Sequence, residues 1–150
     1  AYTYPATPMV LIGKEAEEGW ARFQMTVGTA RHWYFRVPEG TTEFSVHAAA
    51  RHETDVARVE VWAPDRCVGI IYDNDAVETI QVPDGLDGKM WYLRVDVGSA
   101  SRFVTAEGPE HRYAGIYLTL DLKGVPGYLA PTWEQWFDPE NPVPAMRRGK

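Results

Sequence analysis

Aromatic and charged side chains recur at every second position in two segments of this chain. The segment Arg58–Trp62 carries an arginine, a glutamate and a tryptophan at every second position, and Tyr92 and Arg94 repeat the arrangement further along. Rings offer flat apolar faces, and guanidinium and carboxylate groups offer forked hydrogen bonds. Together these residue types suit a surface that binds a ligand by stacking and orients it by hydrogen bonds. The candidate ligand-binding residues are Trp62, Tyr92, Arg94, Tyr117, Arg58 and Glu60.

Each of these rings also has a purely structural interpretation. Trp62 could be covered by the Trp-rich C-terminal tail or pack against a ring on a neighbouring strand, and tyrosine is common on any sheet surface. Trp133 and Trp136 lie in that tail, where we expect burial against the rest of the domain. The binding interpretation therefore requires Trp62, Tyr92 and Tyr117 to emerge on an outer face.

An acidic turn at Tyr72–Asp75 offers carboxylate and amide oxygens within a short stretch. Such oxygens are ligands for hard cations such as calcium, although the same residues are ordinary in hairpin turns. The sequence has no complete EF-hand loop. Both interpretations stay open: a structural calcium ion held by Asp73, Asn74 and Asp75, or a plain turn in a domain that requires no cofactor.

Residues that could perform catalysis do not occur in a pattern that the chemistry would need. His47 and His52 are separated by an odd number of positions, so on one strand they point to opposite faces and cannot share a metal ion. The chain has no Gly-x-Ser-x-Gly elbow and no phosphate-binding Gly-rich loop. His111, beside Glu110 and Arg112, is expected to be a solvated loop residue. We therefore predict that the domain is not an enzyme.

The elements that must position these residues are β-strands, because apolar residues recur with a period of two. Clusters of Gly, Pro, Asn and Asp separate the runs at intervals typical of a sandwich. We predict an all-β fold, an antiparallel β-sandwich of jelly-roll type with about nine strands. The predicted strands are Pro8–Ile12, Trp20–Val27, His32–Val37, Thr42–Ala50, Val56–Ala63, Cys67–Asp73, Val77–Val82, Met90–Val97 and Ile116–Leu122.

Length and composition favour a single domain. The chain of 150 residues is long enough for one core, with the sandwich at about 8–123, a packed Trp- and Pro-rich tail at about 124–140 and a loose C-terminus at about 141–150. Ser99–Tyr113 is a long polar connection and the favoured position for a functional loop. The net charge of −6 argues against binding to nucleic acid, and no stretch approaches the ~20 apolar residues of a membrane span.

Three motifs carry a resemblance to known domains. They are Val37-Pro38-Glu39-Gly40-Thr41, Val61-Trp62-Ala63-Pro64-Asp65, and the run from Val82 to Val95, which begins Val-Pro-Asp-Gly. Over Trp33–Val97 the chain resembles the non-catalytic β-sandwich domains appended to bacterial secreted hydrolases, namely carbohydrate-binding modules of the jelly-roll type and pre-peptidase C-terminal domains. It departs from the second group after Asp65, where Arg66 and Cys67 follow instead of the usual Asp-Gly turn.

The resemblance implies binding rather than catalysis. It implies a secreted accessory domain that holds an attached catalytic domain near a polysaccharide, with sugar rings stacked on Trp and Tyr rings. Two alternatives stay open: a structural or protein-interaction domain that bridges modules of a larger enzyme through its Trp-rich tail, and a small polysaccharide-active enzyme. The first predicts a large apolar patch. The second predicts a cleft with a perturbed carboxylate or histidine near Ser99–Tyr113.

Overall fold

A computed structural model of the protein describes residues 9–27, 30–53, 55–97 and 116–140. These residues form β-strands and two one-turn 3-10 helices, Glu17–Gly19 and Trp133–Gln135, with no α-helix among them. Within the same ranges, no helix is long and apolar enough to span a membrane. The strands are β1 (Leu11–Ile12), β2 (Lys14–Glu15), β3 (Ala21–Val27), β4 (Arg31–Val37), β5 (Glu43–Ala50), β6 (Ala57–Trp62), β7 (Cys67–Asp73), β8 (Asp75–Gln81), β9 (Lys89–Val97), β10 (Ile116–Lys123) and β11 (Tyr128–Leu129).

The strands pair antiparallel in three sheets. The two larger sheets have the strand orders β2-β3-β10-β5-β8 and β4-β9-β6-β7, and the third pairs β1 with β11. The pairs β3–β10, β4–β9, β5–β8 and β6–β7 are nested along the chain, because each pair encloses the next. The chain therefore passes back and forth between the two large sheets, and β6 and β9 come to lie side by side in the middle of the four-stranded sheet.

The two large sheets pack face to face through the apolar sides that the period-two alternation predicts. Phe44 of β5 meets Phe35 and Trp91 of the opposite sheet edge to face, with ring centroids 5.5 and 5.4 Å apart. The indole N–H of Trp91 donates to the carbonyl of Leu86 at 2.8 Å, which satisfies its polar atom inside the core. The predicted all-β sandwich is therefore confirmed. The largest fully buried side chains are Trp91, Phe35, Phe44, Leu93, Ile116, Leu118, Leu120, Leu122, Leu129, Val27, Val37 and Val46.

The two Val-Pro-acid-Gly motifs form equivalent turns. In each, the proline carbonyl accepts a hydrogen bond of 3.1 Å from the backbone N–H three residues further on. Gly40 and Gly85 occupy the third position of these turns with φ of 89° and 82°, which glycine adopts without steric cost. The carboxylate of Asp87, two residues after the second turn, accepts from the backbone N–H of Gly40 at 2.7 Å. These two motifs thus join the two large sheets at one end of the sandwich.

Two short strands extend the predicted set of nine. β2 and β11 have two residues each, which is too short to show a period in the sequence. β8 begins two residues earlier than predicted, with Asn74 alone between it and β7. The predicted functional loop Ser99–Tyr113, with His111, and the C-terminal residues 141–150 lie outside the described residues.

The C-terminal tail is only partly irregular. β11 pairs with β1, and Ala130 forms a bridge with Tyr34 on the edge of β4 through hydrogen bonds of 2.7 and 3.0 Å. The indole N–H of Trp136 donates to the carbonyl of Tyr128 at 2.9 Å. The expected burial of Trp133 is wrong, because its side chain is 61% exposed. Trp136 leaves the 3-10 helix in an extended conformation that directs its ring to Tyr128, and Trp133 stays on the solvent side.

Candidate functional site

Five of the six predicted ligand-binding residues lie on the outer face of the four-stranded sheet. Strands β6 and β9 are neighbours there, and their register places Trp62 opposite Tyr92 and Glu60 opposite Arg94. Arg58 shares this face because it lies two positions before Glu60 on the same strand. The five residues therefore form one patch, which residues of β4 and β7 extend. The aromatic face, as we call it, consists of Arg58, Glu60, Trp62, Tyr92, Arg94, His32, Tyr34 and Tyr72.

A row of rings crosses the aromatic face from β4 to β6. Tyr34 lies opposite Tyr92 with ring centroids 5.3 Å apart, and Tyr92 lies opposite Trp62 with centroids 5.8 Å apart. The ring planes of Trp62 and Tyr92 differ by only 2°. His32 stacks on Tyr92 with centroids 4.8 Å apart. Burial raises the pKa of Tyr92 above its usual value, so its hydroxyl stays a hydrogen-bond donor. His32 is exposed and the other three rings are half-buried, so the row presents a partly apolar strip to solvent.

Glu60 holds the polar part of the aromatic face together. Its carboxylate accepts from the indole N–H of Trp62 at 2.8 Å and from Nε of Arg58 at 2.9 Å, and Nη1 of Arg94 lies 3.6 Å from it. Although it points outward, Glu60 is only 8% exposed. Burial alone would raise the pKa of Glu60, but these hydrogen bonds and the two guanidinium charges outweigh burial and lower that pKa. Because its N–H is bound to a fixed carboxylate, the Trp62 ring is oriented in advance.

Three members of the aromatic face are absent from the predicted site residues. His32 and Tyr34 come from β4, and Tyr72 comes from β7, where the guanidinium of Arg58 lies 6.0 Å from its ring centre. His32 and Tyr34 share one parity within their strand, so the sequence does hold a signal for them. That signal does not show that β4 lies beside β9 or that β7 lies beside β6, because these pairings depend on the strand order.

Tyr117 lies on the opposite side of the molecule. It belongs to β10, on the outer face of the five-stranded sheet, and is 51% exposed. The guanidinium of Arg51 lies 5.2 Å from its ring centre. Since the core separates the two outer faces, Tyr117 cannot contact a ligand group that is held between Trp62 and Tyr92. The structure thus divides the predicted ligand-binding set into a group of five and a single residue.

The turn Asp73–Asp75 directs its polar side chains to different partners. The carboxylate of Asp73 accepts from the backbone N–H of Asn74 at 2.7 Å, and the Asn74 amide donates to two backbone carbonyls between β5 and β6 at 2.7 and 2.9 Å. A carboxylate oxygen of Asp75 lies 2.7 Å from Nε2 of His47. Among the residues that the structure describes, no group of three or more His, Cys, Asp or Glu side chains is arranged to hold a metal ion. A structural calcium ion at this turn stays a prediction.

Two comparisons with known proteins were negative. No protein-family model matches the chain, and a search of curated proteins finds no match. The aromatic face combines rings that can stack with a cluster of guanidinium and carboxylate groups that can form hydrogen bonds.

Proposed function

We propose that this domain is a non-catalytic carbohydrate-binding module that holds an attached secreted hydrolase near a polysaccharide. The observation that carries the proposal is the parallel pair of Trp62 and Tyr92, continued by Tyr34, on an outer sheet face. The stacked rings form one apolar row across the sheet, against which consecutive sugar units of one chain can pack. Arg58 and Arg94 stand beside the rings with donors for the sugar hydroxyls.

The expected affinity is moderate. A fully covered aromatic side chain buries about 150–250 Å², but these rings are already half-buried. Covering the remaining apolar surface at about 25 cal/mol per Å² contributes about 1–2 kcal/mol for each ring. The loss of translational and rotational freedom on binding, about 4–15 kcal/mol, offsets this gain, so hydrogen bonds to the sugar hydroxyls have to supply the surplus and the binding is readily reversible. Binding of this strength suits a module that must release and rebind as its enzyme moves along a polymer.

The strand order supports the jelly-roll part of the proposal. Nested antiparallel pairs that alternate between two sheets are what two Greek keys produce, and β3-β10-β5-β8 lies against β4-β9-β6-β7 in that manner. The motifs that resemble secreted accessory domains belong to this framework. Val37–Thr41 joins β4 to β5, Val61–Asp65 ends β6, and Val82–Val95 leads from β8 into β9.

A protein-interaction role is the second candidate, because large apolar side chains are exposed near the β1–β11 sheet. Trp133 is 61% exposed and Ile12 is 68% exposed. The backbone N–H of Met9 donates to the carbonyl of Gln135 at 2.8 Å, which brings the N-terminal segment beside the helix that contains Trp133. An adjoining module in a longer chain would cover such a patch. This role predicts no glycan binding by the isolated domain.

Affinity gel electrophoresis tests the proposal. The purified domain is run through native gels that contain soluble xylan, mixed-linkage β-glucan, galactomannan or hydroxyethylcellulose. We expect retarded migration in at least one gel, and weaker retardation in Trp62→Ala and in Tyr92→Ala. Trp133→Ala is the matched control, because it removes an exposed indole outside the aromatic face. Normal migration in every gel, together with no response on a full glycan array, would refute the proposal.

A further inference from the structure

The outer face of the five-stranded sheet carries a groove on the side of the molecule opposite the aromatic face. One cavity of about 900 Å³ lies over Arg22, His47 and Asp121, and a second of about 480 Å³ lies over Tyr117. Gln24 lines both cavities, so they adjoin. From Tyr117 to Asp121 the floor follows β10 over roughly 14 Å, at about 3.4 Å per residue. The groove is therefore long enough for an extended chain.

The charged groups on the groove floor are paired with each other. Asp121 is 2% exposed, and its carboxylate accepts hydrogen bonds from Nε and Nη2 of Arg22 at 3.0 and 3.1 Å. His47 lies between two carboxylates, with Nδ1 2.8 Å from Asp121 and Nε2 2.7 Å from Asp75. Bidentate and charge-assisted bonds of this kind fix the side chains in one arrangement. The floor is consequently rigid, and the charges of Arg22, His47, Asp121 and Asp75 are turned to one another rather than to a ligand.

Hydrogen-bonding groups remain free for a neutral ligand. Arg22 uses two of the five guanidinium donors on Asp121, and its side chain is 45% exposed. Gln24 and Thr119 lie opposite each other across β3 and β10 and add an amide and a hydroxyl to the floor. Ala49 of β5 lies opposite Thr119 of β10, and its small side chain leaves the centre of the groove open.

Aromatic rings stand at both ends of the groove. Trp20 lies at one end with its ring edge-on to His47, at a centroid distance of 6.3 Å, and Tyr117 lies at the other. Nζ of Lys123 lies 5.7 Å from the Trp20 ring centre, and Cζ of Arg51 lies 5.2 Å from the Tyr117 ring centre. Rings pack against C–H-rich faces, and the polar floor between them bonds hydroxyls. This combination fits a neutral, polyhydroxylated chain.

We propose that this groove is a second polysaccharide-binding site, so that the domain binds two neutral chains on opposite faces and cross-links them. The inference rests on the proposed function for the class of ligand, but the groove shares no residue with the aromatic face. Charge favours a neutral chain over an acidic one, because the cations of the lining, Lys14, Arg22 and Arg51, are matched by the carboxylates of Glu15, Glu17 and Asp121, and the protein has a net charge of −6.

Titration calorimetry with oligosaccharides counts the sites. The probes are hexasaccharides from whichever of the four neutral polysaccharides retards the domain, and oligogalacturonate serves as the acidic comparison. Ala49→Arg fills the centre of the groove, and Trp62→Ala/Tyr92→Ala removes the rings of the aromatic face. Thr79→Arg is the matched control, since Thr79 lies on the same outer face but outside both cavities. Should Ala49→Arg fail to fold by circular dichroism, Gln24→Ala/Thr119→Val replaces it.

The two-site proposal predicts two hexasaccharides bound to the wild type and to Thr79→Arg. It predicts one bound to each single-face variant, Ala49→Arg or Trp62→Ala/Tyr92→Ala, and none bound to the variant that combines these substitutions. It also predicts that the wild type raises the viscosity of the intact polysaccharide while single-face variants do not. A single site in the wild type overturns the proposal that the domain binds two chains. If Trp62→Ala/Tyr92→Ala then removes that site and Ala49→Arg leaves it unchanged, the proposed function stands without the groove. If no polysaccharide binds the wild type, both proposals fail.

Discussion

Trp62 and Tyr92 lie directly opposite each other on adjacent strands, with ring planes 2° apart and centroids 5.8 Å apart. Directly opposed residues on one face of an antiparallel pair come within contact distance, so the register of β6 and β9 is enough to join these rings. Glu60 then fixes the indole N–H of Trp62 at 2.8 Å. The platform therefore exists before a ligand arrives, which reduces the ordering cost of binding.

Replacing Glu60 is expected to weaken both stability and glycan binding. Glu60→Gln keeps the shape of the side chain but removes the nearly buried charge that Arg58 bonds and that Arg94 shares with Asp96. The single amide oxygen also cannot replace both carboxylate oxygens, which accept separately from Nε of Arg58 and from the indole N–H of Trp62. We expect a loss of about 1–3 kcal/mol in the free energy of unfolding, and weaker glycan binding because the Trp62 ring is held less firmly. Urea unfolding and affinity electrophoresis measure the two effects.

Asp65→Asn is the control for this substitution. Asp65 also bonds an arginine, Arg66, through two bonds of 3.0 Å, but both side chains are exposed. Exposed ion pairs contribute little, so we expect no measurable change in the free energy of unfolding and unaltered binding. Equal losses of stability in Glu60→Gln and Asp65→Asn would contradict the central role that the structure gives Glu60.

His47→Gln is expected to lower stability more at pH 5 than at pH 8.5. Burial lowers the pKa of His47, but its hydrogen bonds to Asp121 and Asp75 outweigh that effect and raise the pKa above its ordinary value. A histidine with a raised pKa in the folded state stabilises the fold fully below the unfolded pKa of about 6.5, and this contribution is lost as the pH rises through the folded pKa. Urea unfolding of the wild type and the variant at the two pH values measures the loss in the free energy of unfolding. We expect this loss to reach about 1–2 kcal/mol at pH 5.

An exposed histidine outside this network provides the comparison. His52→Gln should change stability by similar small amounts at both pH values, because the His52 side chain is exposed beyond the end of β5. A pH-independent loss in His47→Gln would show that His47 contributes packing alone.

The faces of the strands were predictable because side chains alternate with a period of two, whichever strands are neighbours. That rule places Trp62 and Tyr92 on one side of their strands, and the structure has both on the outer face. Strand order is different, because it depends on long-range pairing that leaves no local pattern. For this reason the sequence could not show that Tyr117 lies on the other sheet from Trp62, or that His32 lies beside Tyr92.

Outward parity also did not reveal which polar residues are covered. Asp121 and Glu60 both point away from the core, yet they are 2% and 8% exposed. Each is enclosed by the long side chains of its cross-strand or same-face neighbours, such as Arg22 over Asp121. Parity gives the direction of a side chain, whereas its burial depends on the length of the residues that surround it.

Gly127→Ala is expected to destabilise the protein by about 1–3 kcal/mol. A Cβ at Gly127 would overlap the Cβ of Ala21, and the neighbouring Gly13 donates its backbone N–H to the Gly127 carbonyl at 2.8 Å, which holds the β1–β11 segment against β3. Urea unfolding measures the loss. In a double-mutant cycle, Ala21→Gly should recover part of it by making room for the new methyl group, with a coupling of about 1 kcal/mol. Strict additivity of the two substitutions would count against the close approach.

The most direct test of the aromatic face is the tryptophan emission of the domain during titration with an oligosaccharide of the polysaccharide that retards it. Stacking of a sugar on Trp62 removes water from that ring, so the emission should shift to the blue in the wild type and in Trp133→Phe. In Trp62→Phe the shift should shrink to the part that Trp20 in the groove contributes. A shift of undiminished size in Trp62→Phe would contradict the assignment of glycan binding to the aromatic face.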